Sequence, residues 1–236
     1  MTQGAGGAGS ADDPARALEL LDIARRRFIN VAGHELRTPI TTIRGLAEAL
    51  RTADLEEVRA EVVPALVRNA ERLERLLDDL LIAADITTAL PVGEPEPIDV
   101  VATAQAIWDA GGDETLEVDG VTSATANLRP GAADRLLEHV LDNARDYGQP
   151  PYRLHAEGRG DQVVLQISSS GAELSPDDLS LAFELFYRGE GAVTAAPGFG
   201  LGLPVARALA RQHGGDVSIA AASGGGVVVT VELPAA

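Results

Sequence analysis

The chain has 236 residues, enough for two modest domains that each bury a core of their own. Its formal net charge is −17 and all 19 basic residues are arginine, so it lacks the basic footprint that nucleic acid or an anionic membrane surface requires. It has no cysteine, which excludes disulfides and thiolate metal sites and suits a reducing, cytoplasmic compartment. No run of about 18 apolar residues is available to span a membrane.

Residues 1–13 are rich in Gly, Ala and Ser, lack the regions of a signal peptide, and read as a disordered tail. A first helix is expected from about Asp12 to Arg51, with Pro14 in its first turn. Small or apolar residues recur at Ile29, Ala32, Leu36, Ile40, Ile43, Ala47 and Leu50, in steps of three and four that make one seam. His34 lies two residues before Leu36, roughly 200° round the helix, and so faces solvent. Glu35 follows it, Thr38 stacks one turn on, and Pro39 removes a helical N–H just beyond. An exposed imidazole beside a carboxylate is an accessible nucleophile with an orienting group. After the short turn Thr52-Ala53-Asp54, a second helix runs to about Thr87, with Leu55, Val58, Val62, Leu66, Leu73, Leu76, Leu80 and Ala83 on one face. One hairpin cannot bury both seams, so residues 14–90 are expected to form a homodimer through a four-helix bundle.

Residues 91–97 (Pro-Val-Gly-Glu-Pro-Glu-Pro) read as a linker. Beyond it, residues 98–236 alternate helix and strand signals. Helices are expected over Asp99–Ala110, Ala132–Tyr147 and Gly202–His213, and short strands over Glu114–Val118 and Ser123–Ala126. Two hairpins follow from Tyr152–Glu157 with Gln162–Ser168, and from Asp216–Ala220 with Val227–Leu233. The fold class is therefore α plus α/β, a helical hairpin followed by an α/β sandwich. Gly198, Gly200 and Gly202 open the helix ending near His213, where backbone N–H groups and the helix dipole suit phosphate. The four histidines show no metal-ligand spacing.

The segment Phe28–Ile40, with His34-Glu35-Leu36-Arg37-Thr38-Pro39 at its centre, resembles the H-box of bacterial two-component sensor histidine kinases. Leu137–Gly148 resembles their N-box, Ala182–Arg188 their F-box and Gly198–Leu203 their G2 loop. The resemblance covers roughly Arg16–Pro234 and implies a dimerisation and phosphoacceptor hairpin followed by a Bergerat-type ATP-binding domain. It implies that His34 takes the γ-phosphoryl group of ATP, that Glu35 polarises it, and that a response-regulator receiver domain then accepts the phosphate. It further implies that Thr38 orients water for dephosphorylating the regulator. Asn143 would ligate Mg²⁺ on the ATP phosphates, Tyr147 would line the nucleotide pocket, and Gly198, Gly200, Gly202 and Leu203 would form the phosphate side.

The chain departs from the family pattern in three places. His139 replaces the first N-box asparagine, and Asp146 replaces a lysine, with Arg145 or Arg188 as candidate substitutes. The G1 box is degenerate: Ser169 stands where an aspartate should accept from the adenine amino group, Gly171 follows, and Glu173 replaces a glycine. Losing the charge from that bond costs about 1–2 kcal/mol, so weakened ATP binding is expected. The segment Gly189–Pro197 is short for an ATP lid. Two other readings stand beside the kinase: a nucleotide-deficient scaffold that docks a receiver domain through His34 and the bundle, and an anti-sigma-type serine kinase.

Overall fold

The computed structural model describes residues 32–33, 36–51, 56–83, 93–172, 174–188 and 200–236. His34, Glu35, Glu173, Gly198, the expected lid segment Gly189–Pro197 and the first two residues of the expected linker, Pro91 and Val92, lie outside the described residues. The chain divides into two compact units, residues 1–69 and 70–236.

In the first unit, α1 spans 36–51 and α2 (Glu56–Ala83) begins. Both helices carry a proline, Pro39 and Pro64. The less exposed edge of α1 runs through Leu36, Pro39, Ile43, Leu46 and Leu50. Ile40, 52% exposed, and Ala47 belong to the expected seam but lie off this edge in a single copy. The alternation of three and four holds, but it steps through Pro39 and Leu46 instead. On α2, Val62 and Leu66 are partly covered, whereas Val63 and Val67 are each 47% exposed.

The second unit holds the rest of α2 and an α/β domain. Its elements are β1 (Glu96–Asp99), α3 (Val100–Ala110), β2 (Leu116–Gly120), β3 (Thr125–Leu128) and α4 (Ala132–Tyr147). They continue with β4 (Gln149–Arg159), β5 (Gln162–Ser170), α5 (Pro176–Leu181), α6 (Gly202–Gln212), β6 (Asp216–Ala221) and β7 (Val227–Pro234). The main sheet has the order β2-β4-β5-β7-β6, with β2 parallel to β4 and the other pairs antiparallel. A separate ribbon pairs β1 with β3. Glu96 and Pro97 thus belong to a strand and not to the linker; β1 has a single neighbour, and an edge strand tolerates proline's missing N–H.

Register explains the core. Ala156, Leu165, Val231 and Val217 stand opposite one another across four strands, as do Leu154, Ile167, Val229 and Ile219. Because side chains alternate faces every second residue, Ser169 falls at the end of the row begun by Leu165 and Ile167. α4 packs between α3 and α6, and Leu136, Leu137, Val140, Leu141, Val205, Ala206 and Leu209 are fully buried there. Asp99 caps α3, accepting from the N–H groups of Val101 and Ala102 at 3.1 Å each. Asp216 accepts from Arg207 at 2.8 Å and Arg211 at 3.0 Å, fastening the end of α6 to β6.

Candidate nucleotide-binding cleft

A cleft of about 860 Å³ opens over the sheet, bounded by α4, α5, the start of α6 and the ends of β5 and β7. That is the scale of a small-ligand site. The structure brings Asn143, Tyr147, Ser169, Gly171, Arg188, Gly200, Gly202 and Leu203 together in its lining. These residues come from four separate stretches of sequence.

Each wall follows from local structure. α4 turns Asp142, Asn143, Asp146 and Tyr147 toward the cleft while its opposite stripe feeds the core. α6 starts without a side-chain cap on its first N–H groups, leaving donors at Gly202 and Leu203 that suit an anion. Gly200 has φ +67°, and a Cβ there would lie 2.6 Å from the Tyr187 carbonyl oxygen. Phe186, itself at φ +63°, donates its N–H to the Gly200 carbonyl at 2.9 Å. The two chain segments therefore meet at a contact too close for any side chain at position 200.

The floor is built around Ser169. It is 3% exposed, and its Oγ has no hydrogen-bond partner among the described residues. Val227 and Ile219 line the same cleft. Two glycines make room for it: a Cβ on Gly148 would lie 2.3 Å from Ser169 Oγ, and one on Gly226 would lie 2.1 Å from the Ser169 carbonyl oxygen.

The α4 wall is acidic. Asp79, Asp142, Asp146, Asp177 and Asp178 all line the cleft, and Arg188 is the one arginine among the described lining residues. Partial burial, and then the neighbouring Asp142 charge, raise the Asp146 carboxyl above the ordinary aspartate value, with Arg145 and Arg188 opposing. Arg145 does not serve the cleft directly: its guanidinium lies 4.1 Å from the Trp108 ring centre and donates to the Trp108 carbonyl. Of the two arginines expected to replace the lysine, only Arg188 lines the site.

Several lining residues escaped the sequence reading. Asp79, on α2, accepts from Arg135 at 2.8 Å and bonds His139 at 3.1 Å. Burial would push the Asp79 carboxyl up, but His139 and then Arg135 hold it below the ordinary value. Tyr187 donates to Asp178 at 2.7 Å, tying the F-box stretch to α5. The signal for α5 was present as Ser175-Pro176-Asp177-Asp178, which forms a capping box. Nothing local marked Asp79, since its partners lie in another domain of the sequence.

The three described histidines all have partners, and His139 is the one that lines the cleft. His139 pairs with Asp79 and His155 with Asp119, while His213 accepts from the Arg129 N–H at 3.2 Å and donates Nδ1–H to the Leu209 carbonyl at 2.8 Å. Thr38 is exposed on α1, and its carbonyl accepts from Thr42 Oγ1 at 3.1 Å.

Comparison with known families decides what this arrangement is. Residues 129–236 match the histidine kinase-, DNA gyrase B- and HSP90-like ATPase family, and residues 24–89 match the His Kinase A (phospho-acceptor) domain. The chain belongs to the sensor histidine kinases. The kinase core is 31% identical over 233 residues to the sensor protein CutS of Streptomyces coelicolor, covering 94% of this chain and 56% of CutS. It is 26% identical to the signal transduction histidine-protein kinase AfsQ2 of the same organism, covering 89% of this chain and 42% of AfsQ2. The chain thus spans about half the length of these relatives. Its fold is shared with the histidine kinase AdeS of Acinetobacter baumannii, with a TM-score of 0.60, 21% identity, and coverage of 86% of this chain and 98% of AdeS. Among the described residues of the kinase core, no helix is long and apolar enough to cross a membrane.

Proposed function

We propose that this kinase core binds Mg²⁺-ATP in the cleft between α4 and α6 and transfers the γ-phosphoryl group to His34. The observation that carries the reading is the convergence of Asn143, Tyr147, Ser169, Gly171, Arg188, Gly200, Gly202 and Leu203 on one cleft, in a chain whose phospho-acceptor match includes His34. A His34 ring nitrogen attacks the γ-phosphorus as the bond to the bridging β,γ-oxygen breaks, and ADP leaves with that electron pair. The transition state is loose, so positioning and charge neutralisation matter more than covalent help. Asn143 would hold Mg²⁺ through its neutral side-chain oxygen, and the bound ion would neutralise charge on the phosphates. Arg188 and the first N–H groups of α6 face the phosphates. Glu35 polarises His34, and Thr38 positions water to hydrolyse the regulator's phosphoaspartate, releasing inorganic phosphate.

A receiver-domain aspartate then takes the phosphoryl group, and the chain works in the cytoplasm. The dimer reading is supported by Ile40, Val63 and Val67, large apolar side chains about half exposed in a single copy. Light scattering at micromolar concentration is expected to give twice the chain mass, and a monomer would refute the dimer. The scaffold and serine-kinase alternatives are not favoured, because the relatives are named as histidine kinases and sensors. Incubation with γ-labelled Mg²⁺-ATP is expected to place acid-labile label on the wild type and none on His34→Gln. Label retained by His34→Gln would remove the assignment.

A further inference from the structure

We infer that the cleft does not discriminate adenine from guanine, so the protein takes GTP about as readily as ATP. The inference rests on the nucleotide reading above and concerns the single buried polar side chain in the floor. Ser169 Oγ is 3% exposed by residue and unpartnered among the described residues, in a cleft that also presents Val227 and Ile219. A buried hydroxyl without a partner is costly, and a ligand entering the cleft is what can satisfy it.

The chemistry of that group sets what it can read. A carboxylate only accepts, so it favours the exocyclic amino group of adenine and repels the O6 carbonyl of guanine. A hydroxyl donates one hydrogen and accepts through two lone pairs. Toward adenine it accepts from the 6-amino group, or donates to N1. Toward guanine it donates to O6, or accepts from N1–H. Both purines therefore satisfy Ser169 equally, and neither leaves it orphaned. Gly171 adds no side chain beside it, and a Cβ there would have nothing closer than 3.8 Å, at the Tyr147 carbonyl oxygen, so no side chain narrows this edge of the floor.

Discrimination of the 10⁴-fold kind arises where a site built to bond one group is left unpaired by its analogue, and the serine floor has no such one-way bond. The test is calorimetric titration of the full chain with Mg²⁺-ATP and with Mg²⁺-GTP. Wild type is expected to bind both with affinities within about threefold. Ser169→Asp should restore an ATP preference of at least about tenfold, by adding a charged acceptor. Ser169→Ala, which only removes the hydroxyl and serves if the aspartate variant fails to fold, should weaken both nucleotides alike. Wild type that binds ATP more than about tenfold tighter than GTP, or an ATP-to-GTP ratio unmoved by Ser169→Asp, overturns the inference while leaving the kinase reading intact. A loss confined to ATP in Ser169→Ala does the same. Binding of neither nucleotide to wild type overturns both.

Discussion

The floor and the α4 wall of the cleft both differ from what a triphosphate ligand would favour, but through different physics. The wall presents Asp142 and Asp146 to solvent and to the incoming phosphates; its effect is Coulombic, long in range and weakened by salt. The floor presents a neutral hydroxyl enclosed by packed strands and glycines; its effect is short in range, set by fit and hydrogen bonding, and nearly blind to salt. Total affinity mixes the two. Ionic strength, pH and steric substitution separate them, so each contribution can be tested and altered on its own.

The largest effect is expected at the floor. Gly148→Ala places a methyl group 2.3 Å from Ser169 Oγ and 2.4 Å from the Ala144 carbonyl, both in packed surroundings. With backbone φ at −95° there is no conformational strain to add, so overpacking alone should cost about 2–3 kcal/mol. A lowered melting temperature with loss of nucleotide binding at every salt concentration is expected. Gly158→Ala, which meets nothing within 4 Å, should leave both unchanged. If Gly148→Ala melts like wild type, the floor is not the rigid half of the cleft.

The wall should respond more gently. Asp146→Asn is expected to tighten Mg²⁺-ATP about threefold at low ionic strength, an advantage fading as salt is raised past about 0.5 M. Asp146 has a raised pKa in the folded protein, so it binds its proton there more tightly than in the unfolded chain. As pH falls from neutral toward that raised value the carboxylate is neutralised, folding gains stability, and repulsion toward the nucleotide declines. Wild-type affinity should therefore approach that of Asp146→Asn as pH falls, with the gap widest above neutrality. A gap that is constant with pH and salt would mean that Asp146 acts by shape instead of charge.

Much of this geometry was legible in the sequence because it rests on local signals. α4 occupies the expected Ala132–Tyr147, and both hairpins pair as alternation and glycine turns dictate. Asn143, Tyr147 and the described glycines meet because they sit on elements that were themselves readable. Ser169 was legible as a departure, but its burial beside Gly148 and Gly226 was not, since that depends on how β5, β7 and the end of α4 come together. β1 was obscured by Pro97, which an edge strand accepts, and α5 was a short helix hidden in loop composition. On α1 the expected seam ran through Ile40 and Ala47, whereas the more covered edge in one copy runs through Pro39 and Leu46, one residue's rotation away. Asp79 was invisible for another reason. Its role is defined by Arg135 and His139, 56 and 60 residues away in the chain.

The glycine turn between β6 and β7 has a practical meaning for anyone wishing to instrument this protein. Hairpin tips are ordinarily where a sheet accepts foreign sequence. Here Gly226, at φ +88°, presses against the Ser169 carbonyl, and Gly225, at φ +99°, would put a Cβ 2.8 Å from the Gly171 carbonyl. The tip between β4 and β5 is different, since Cβ atoms at Gly158 and Gly160 would meet nothing within 4 Å. A fluorescent reporter or affinity peptide spliced in at Gly158–Gly160 rides on the domain as a passenger. The same cargo at Gly225 or Gly226 reaches the floor of the cleft through the backbone and becomes a sensor of whatever fills it.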